Sequence, residues 1–101
     1  NCRVDTSNVF ELIEDCDVIV DCSDNSQTRY LLNDAALLMN KVLVSGSAIE
    51  TCGQISVYNY KYKNITGPCY RCIFPFPAKK AQSCSDNGVL GPITGTIGNL
   101  Q

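Results

Sequence analysis

Between Asp17 and Cys22 the chain reads Asp-Val-Ile-Val-Asp-Cys, a short unbroken apolar run closed by acids, and it leads directly into the turn cluster Ser23-Asp24-Asn25-Ser26. A strand of this kind suits a parallel sheet covered on both faces, because its side chains are apolar whichever way they point. The period then changes. From Gln27 to about Met39, Leu31, Ala35 and Leu38 recur at helical spacing, with Leu32 and Ala36 widening the stripe. The turn cluster supplies side chains that accept hydrogen bonds from the free N–H groups of a helix start. Asn40 suits the left-handed position past a helix end. Val42-Leu43-Val44 is the next strand, running into the small-residue corner Ser45-Gly46-Ser47-Ala48. Strand, helix and strand in this order predict one βαβ unit.

The flanking segments extend that unit. Asn8 with Glu11 three positions on predicts a capped helix over residues 8–15, burying Val9, Leu12 and Ile13. Residues 54–60 alternate with period two and predict a half-exposed, antiparallel strand. The segment 62–81 holds three of the four prolines and the pair Cys69-Tyr70-Arg71-Cys72, and reads as an irregular excursion. Glycines at 88, 91, 95 and 98 among apolar residues predict a closely packed helix start. The expected fold is α/β: the C-terminal half of a Rossmann-like doubly wound sheet, with an appended antiparallel strand and a zinc-knuckle loop. The glycine-rich turn of the first half is absent from these residues.

Composition narrows the function classes. A chain of 101 residues, 45% apolar, makes one small domain. The net charge of -2 offers no surface to nucleic acid, and no apolar run reaches the roughly 20 residues that span a bilayer. Seven cysteines, an odd number with several inside apolar runs, favour reduced thiols and a metal site over a disulfide framework, hence a cytoplasmic setting.

Three places could carry chemistry. Asp24 and Asn25 follow the carboxyl end of a parallel strand, the edge where open α/β sheets bind ligands. Asp24 could hold magnesium against phosphate oxygens and Asn25 could meet a nucleotide; alternatively either is simply a helix cap. Cys69 and Cys72 at C-x-x-C spacing can share one zinc ion, supplying half of a tetrahedral shell. A redox dithiol is the competing reading, disfavoured because such pairs open helices and Pro68 and Pro75 keep these flanks irregular. Cys84 stands after Lys79 and Lys80 and before the glycine-rich segment, where cations and a helix start favour the nucleophilic thiolate; the alternative is a free surface thiol. Cys2, Cys16, Cys22 and Cys52 read as small apolar fillers. Arg29, one turn into the helix, either bonds the 21–25 turn, meets a phosphate or faces solvent.

Taken in order, Val20-Asp21-Cys22-Ser23-Asp24-Asn25, Thr28-Arg29-Tyr30-Leu31-Leu32-Asn33-Asp34, Leu43 to Ala48, Gly53 to Tyr58, Gly67 to Cys72 and Gly88-Val89-Leu90-Gly91-Pro92 resemble the ubiquitin-activating-enzyme-like superfamily. The resemblance is to its ThiF/MoeB-type adenylyltransferases, which activate sulfur-carrier proteins for molybdopterin synthesis and tRNA thiolation. It implies an incomplete adenylyltransferase domain over residues 1–101, lacking the glycine-rich nucleotide-binding half and a second zinc cysteine pair. It also implies ATP-dependent adenylylation of the C-terminal glycine of a ubiquitin-like sulfur-carrier protein. On that pattern Asp24 and Asn25 serve ATP and Mg2+, Cys69 and Cys72 are two of four Zn2+ ligands, and Cys84 matches a crossover-loop cysteine that links covalently to the carrier. A homodimer is the implied assembly. The rival from another class is a non-catalytic, zinc-stabilised module that binds a ubiquitin-like protein.

Overall fold

The computed structural model describes residues 2–77 and 88–101. The βαβ unit is present. Strand β1 (Val18–Asp21) pairs in parallel with β2 (Val42–Ile49), from Val18 opposite Val42 to Asp21 opposite Ser45, and helix α2 (Ser26–Leu38) makes the crossover. Strand β3 (Cys52–Tyr58) returns antiparallel to β2, giving the order β1-β2-β3. A short helix α1 (Val9–Ile13) precedes this sheet, and helix α4 (Gly91–Leu100) ends the chain. Between β3 and α4 lie a small hairpin, β4 (Lys61–Tyr62) with β5 (Ile65–Thr66), and the one-turn helix α3 (Tyr70–Ile73).

Side chains alternate across a strand, so register decides which face each residue meets. Ile19 and Leu43, paired neighbours, point to the face covered by α1 and α2, where they join Val9, Ile13, Leu32, Ala35, Ala36 and Tyr58 in one buried cluster. Leu43 is its centre, fully enclosed, and truncation there to alanine costs about 2–5 kcal/mol by the general behaviour of core leucines. Asn40 takes a left-handed φ of 58° just past α2, as its residue type favours.

Helix α4 packs on the opposite face, over β2 and β3. Here the expected role of the glycines is reversed. A methyl placed on Gly91, Gly95 or Gly98 of α4 would meet nothing within 4 Å. The close approach falls on glycines of the sheet: a Cβ on Gly53 would lie 2.6 Å from the Ile97 side chain, and one on Gly46 would lie 2.5 Å from that of Gln101. Large residues on the helix therefore fill gaps left in the strands.

Other expectations fail for local reasons. On the α4 face of β1, Val18 and Val20 are 49% and 56% exposed, so within this structure the strand is covered on one face only. Leu12 and Leu38 are exposed, because α1 and α2 turn Val9, Ile13, Leu32 and Ala36 to the core instead. Asn8 does not cap α1; its side chain accepts from Asp5 N and donates to Arg3 O, bracing the preceding turn. The proline-rich excursion contains a hairpin and a helical turn, where the sequence suggested irregular chain.

Candidate functional site

At the carboxyl ends of β1 and β2 a cleft of about 340 Å³ opens between the loop after β1 and helix α4. That volume falls in the range of roughly 300–1,000 Å³ usual for small-molecule sites. Cys22, Ser23 and Asp24 form one wall, Gly46, Ser47 and Ala48 the floor, and Ile97 and Gly98 part of the far side. The chain returns to this edge through Val89, which bridges Glu50 at the end of β2 and thereby sets the entry of α4.

Asp24 is exposed on the cleft wall, and its carboxylate accepts from Asn25 Nδ2 at 3.3 Å. Asn25 itself is the N-cap of α2: its Oδ1 accepts from Thr28 N at 2.8 Å. The capping alternative is therefore realised for Asn25, while Asp24, exposed, keeps acceptor capacity beyond its one bond from Asn25. Ser23, in the same wall, has a buried Oγ with no hydrogen-bond partner among the described residues.

The loop stands on a buried charge. Asp21 is 1% exposed, and its carboxylate accepts from Ser23 N at 2.9 Å, Ser45 Oγ at 3.0 Å and Arg29 Nε at 3.2 Å. Arg29 also donates from Nη2 to the Ser23 carbonyl at 2.9 Å. Burial works against the Arg29 charge, yet Tyr70 and Asp21 outweigh it and raise its pKa. Of the three readings of Arg29, the bond to the 21–25 turn is the one observed. Across the sheet Gln101 Nε2 donates to the Asp21 carbonyl at 3.0 Å, and Cys22 Sγ donates to Gln101 Oε1 at 3.3 Å. Cys22 thus lines the cleft, and Cys2, Cys16 and Cys52 are exposed as well, so none of the four is a core filler.

The cysteine pair sits at α3, which packs beside α2. Cys69 is the N-cap residue of α3, and its Sγ lies 3.5 Å from Cys72 Sγ. A tetrahedral zinc thiolate centre with bonds near 2.3 Å separates its sulfurs by about 3.8 Å, so the two thiols fit adjacent corners of such a shell. Burial pushes the Cys69 thiol up, but the Cys72 and Arg71 N–H groups, the Cys72 thiol and the Asn33 amide together hold it below its ordinary value. Because Cys69 opens a helical turn, irregular flanks no longer speak against a redox role, and the sulfur separation suits a reduced dithiol as well as a shared metal ion. Among the described residues no group of three or more His, Cys, Asp or Glu could hold a metal.

Three side chains of α2 hold α3. The buried Asn33 accepts from Tyr70 N at 2.7 Å, Tyr30 OH donates to Phe74 O at 2.7 Å, and Asp34 receives Arg71 through two bonds of 2.7 Å. Tyr70 lies edge-on to Tyr30 and Tyr58, and the Arg29 guanidinium stands 5.9 Å from its ring. One helix therefore carries both the cleft loop at its N-terminus and the cysteine turn on its flank. Cys84 lies outside the described residues. Sequence reasoning named Asp21 only as part of the 21–25 turn and gave no role to Ser45 or Gln101, whose places depend on the pairing of β1 with β2 and on where α4 lands.

The fold is an α/β domain with a cleft at the carboxyl edge of its parallel strand pair, and the whole chain, residues 1–101, matches the ThiF family, to which it belongs. It is similar to proteins named adenylyltransferase and sulfurtransferase MOCS3 from Drosophila grimshawi (54% identity over 96 residues, 93% of this chain and 21% of that protein) and Dictyostelium discoideum (54% over 98, 95% and 22%). The protein of the same name from Anopheles gambiae is 52% identical over 101 residues, 98% of this chain and 22% of its own length. The chain spans about a fifth of the length of these curated relatives.

Proposed function

We propose that this chain is the part of an ATP-dependent adenylyltransferase that presents magnesium and phosphate to the C-terminal glycine of a ubiquitin-like sulfur-carrier protein, for sulfur transfer in molybdopterin synthesis or tRNA thiolation. The observation that carries this reading is Asp24, an exposed carboxylate on a loop locked by a buried ion pair, facing a cleft at the carboxyl edge of a parallel strand pair. Membership of the ThiF family and the names of the similar proteins supply the carrier chemistry.

The donor set fits the groups the reading requires. A lone exposed carboxylate is the hard oxygen ligand that Mg2+ takes when it is shared with substrate phosphates. Bound there, the ion would offset charge on the departing pyrophosphate. Ser23 Oγ would gain a partner from a phosphate oxygen entering the cleft. In the reaction a carboxylate oxygen of the carrier attacks the α-phosphorus of ATP and pyrophosphate leaves. A thiolate then attacks the acyl carbon and AMP leaves. Asn25 holds the start of α2, so that Asp24 is fixed before substrate arrives. Cys84 is the thiol we assign to the acyl acceptor step. Cys69 and Cys72 would give two of four ligands to a structural zinc ion, since a closed thiolate shell leaves no position for substrate. A homodimer in the cytoplasm completes the proposal.

The test is carrier-dependent ATP–pyrophosphate exchange by the full-length protein. Asp24→Ala is expected to lower the rate about 100-fold or more, as loss of a main electrostatic contact to a transferring group does, while binding of the carrier persists. Undiminished exchange in that variant, or none in the unaltered enzyme with any ubiquitin-like carrier, would leave the binding-module alternative standing.

A further inference from the structure

We infer that Arg29 is a positioning residue for the nucleotide site, acting through Asp21 and the Ser23 carbonyl to hold Asp24 at the cleft wall. The inference rests on the nucleotide reading above and adds a residue to it. The geometry is a fork. One arm, Nε, meets Asp21 Oδ2 at 3.2 Å; the other, Nη2, meets Ser23 O at 2.9 Å. Asp21 in turn bonds Ser23 N at 2.9 Å, so both the N–H and the C=O of Ser23, the residue before Asp24, are tied to one buried pair.

Three features argue that this is more than core filling. The pair is enclosed, with the Arg29 side chain 14% and the Asp21 side chain 0% exposed, so water does not compete for the bonds. The fork spans a strand end and a loop that faces the cleft, and among the described residues Arg29 is the side chain that bonds the Ser23 carbonyl. Arg29 is also closed in on its far side by the Tyr70 ring. A loop tethered this way enters the reaction already placed, which is where enclosed polar contacts contribute most to catalysis.

Lysine separates placement from charge. Arg29→Lys keeps a cation opposite Asp21, but a single ammonium on a flexible stem cannot reproduce a planar two-armed contact. Binding of α,β-methylene ATP, which cannot release pyrophosphate, is measured calorimetrically on the full-length protein as Mg2+ is raised. For Arg29→Lys the dissociation constant should rise about tenfold at saturating Mg2+, the effect of one lost charge-assisted hydrogen bond, with stoichiometry unchanged. A purely structural residue would reduce the number of competent sites and leave their affinity alone; that result overturns the inference. Should Arg29→Lys fail to fold, Ser45→Ala takes one donor from the same carboxylate oxygen and should weaken binding about threefold, as loss of a neutral bond does; unchanged affinity there also overturns it. Asp24→Ala is run beside them. If it binds the analogue as tightly as the unaltered protein, the nucleotide reading fails and the inference with it; if it weakens binding while Arg29→Lys and Ser45→Ala do not, only the inference fails.

Discussion

Helix α2 contributes one partner to each of two arginine–aspartate pairs of opposite character. Arg71 grips Asp34 with two bonds of 2.7 Å, yet both side chains are open to water, 45% and 41% exposed. Arg29 meets Asp21 through one longer bond of 3.2 Å, and the pair is enclosed. Distance alone would rank the surface pair first. Burial reverses the order, since water and salt already satisfy exposed charges, whereas an enclosed carboxyl without its guanidinium has nowhere to turn.

The sharpest way to break this ranking is to remove Arg29 outright. Arg29→Leu leaves Asp21 buried beside an apolar chain and should cost about 3–5 kcal/mol, read in the full-length protein as lost hydrogen-exchange protection across β1 and α2. A loss no larger than that for Arg71→Leu would reverse the comparison. Next comes Asn33→Leu, which strips the buried acceptor from Tyr70 N; about 1–3 kcal/mol of local protection at α3 should go, and the cysteine turn should become more open to proteolysis. Asn25→Ala removes the α2 cap and is expected to cost about 1 kcal/mol, confined to the first turn of that helix. The smallest effect belongs to the surface pair. Arg71→Leu should leave protection of the sheet unchanged.

Acidity sharpens the same contrast. The hydrogen bonds from Arg71, aided by Asn33, outweigh partial desolvation and lower the pKa of Asp34 from its ordinary 3.8. A carboxyl depressed on folding stabilises the native state above its unfolded pKa and loses that contribution as pH falls through the folded one. The tie between α2 and α3 should therefore weaken only below pH 3.8, and Asp34→Asn should abolish that part of the acid dependence. Acid sensitivity beginning near neutrality would point elsewhere.

Much of the frame was legible in the residues. The acid-closed run at 17–22, the helical stripe after it, the run at 42–44 and the alternation at 54–60 placed three strands and the crossover helix. Their local patterns do not depend on what lies across the fold. The position of Asp24 was legible for the same reason, because a strand end before a helix is a local fact. The Arg29–Asp21–Ser45 set was legible only in part: a bond from Arg29 to the 21–25 turn was one of three readings, but its partner on β2 was not among them. It joins residues from a helix and two strands, and its meaning depends on parallel pairing that brings Ser45 opposite Asp21. Nor could composition reveal that Ile97 and Gln101 fill the space above Gly53 and Gly46, since glycine spacing on α4 suggested the contrary.

Those two sheet glycines also act as a gauge. At each position the missing carbon atom leaves room for the end of one side chain, Ile97 above Gly53 and Gln101 above Gly46. Gly53→Ala should turn the end of the Ile97 side chain aside, and since Ile97 lines the cleft, the far wall would change shape without any change to a polar group inside it. The shape of the cleft would then be tunable from a residue outside its lining.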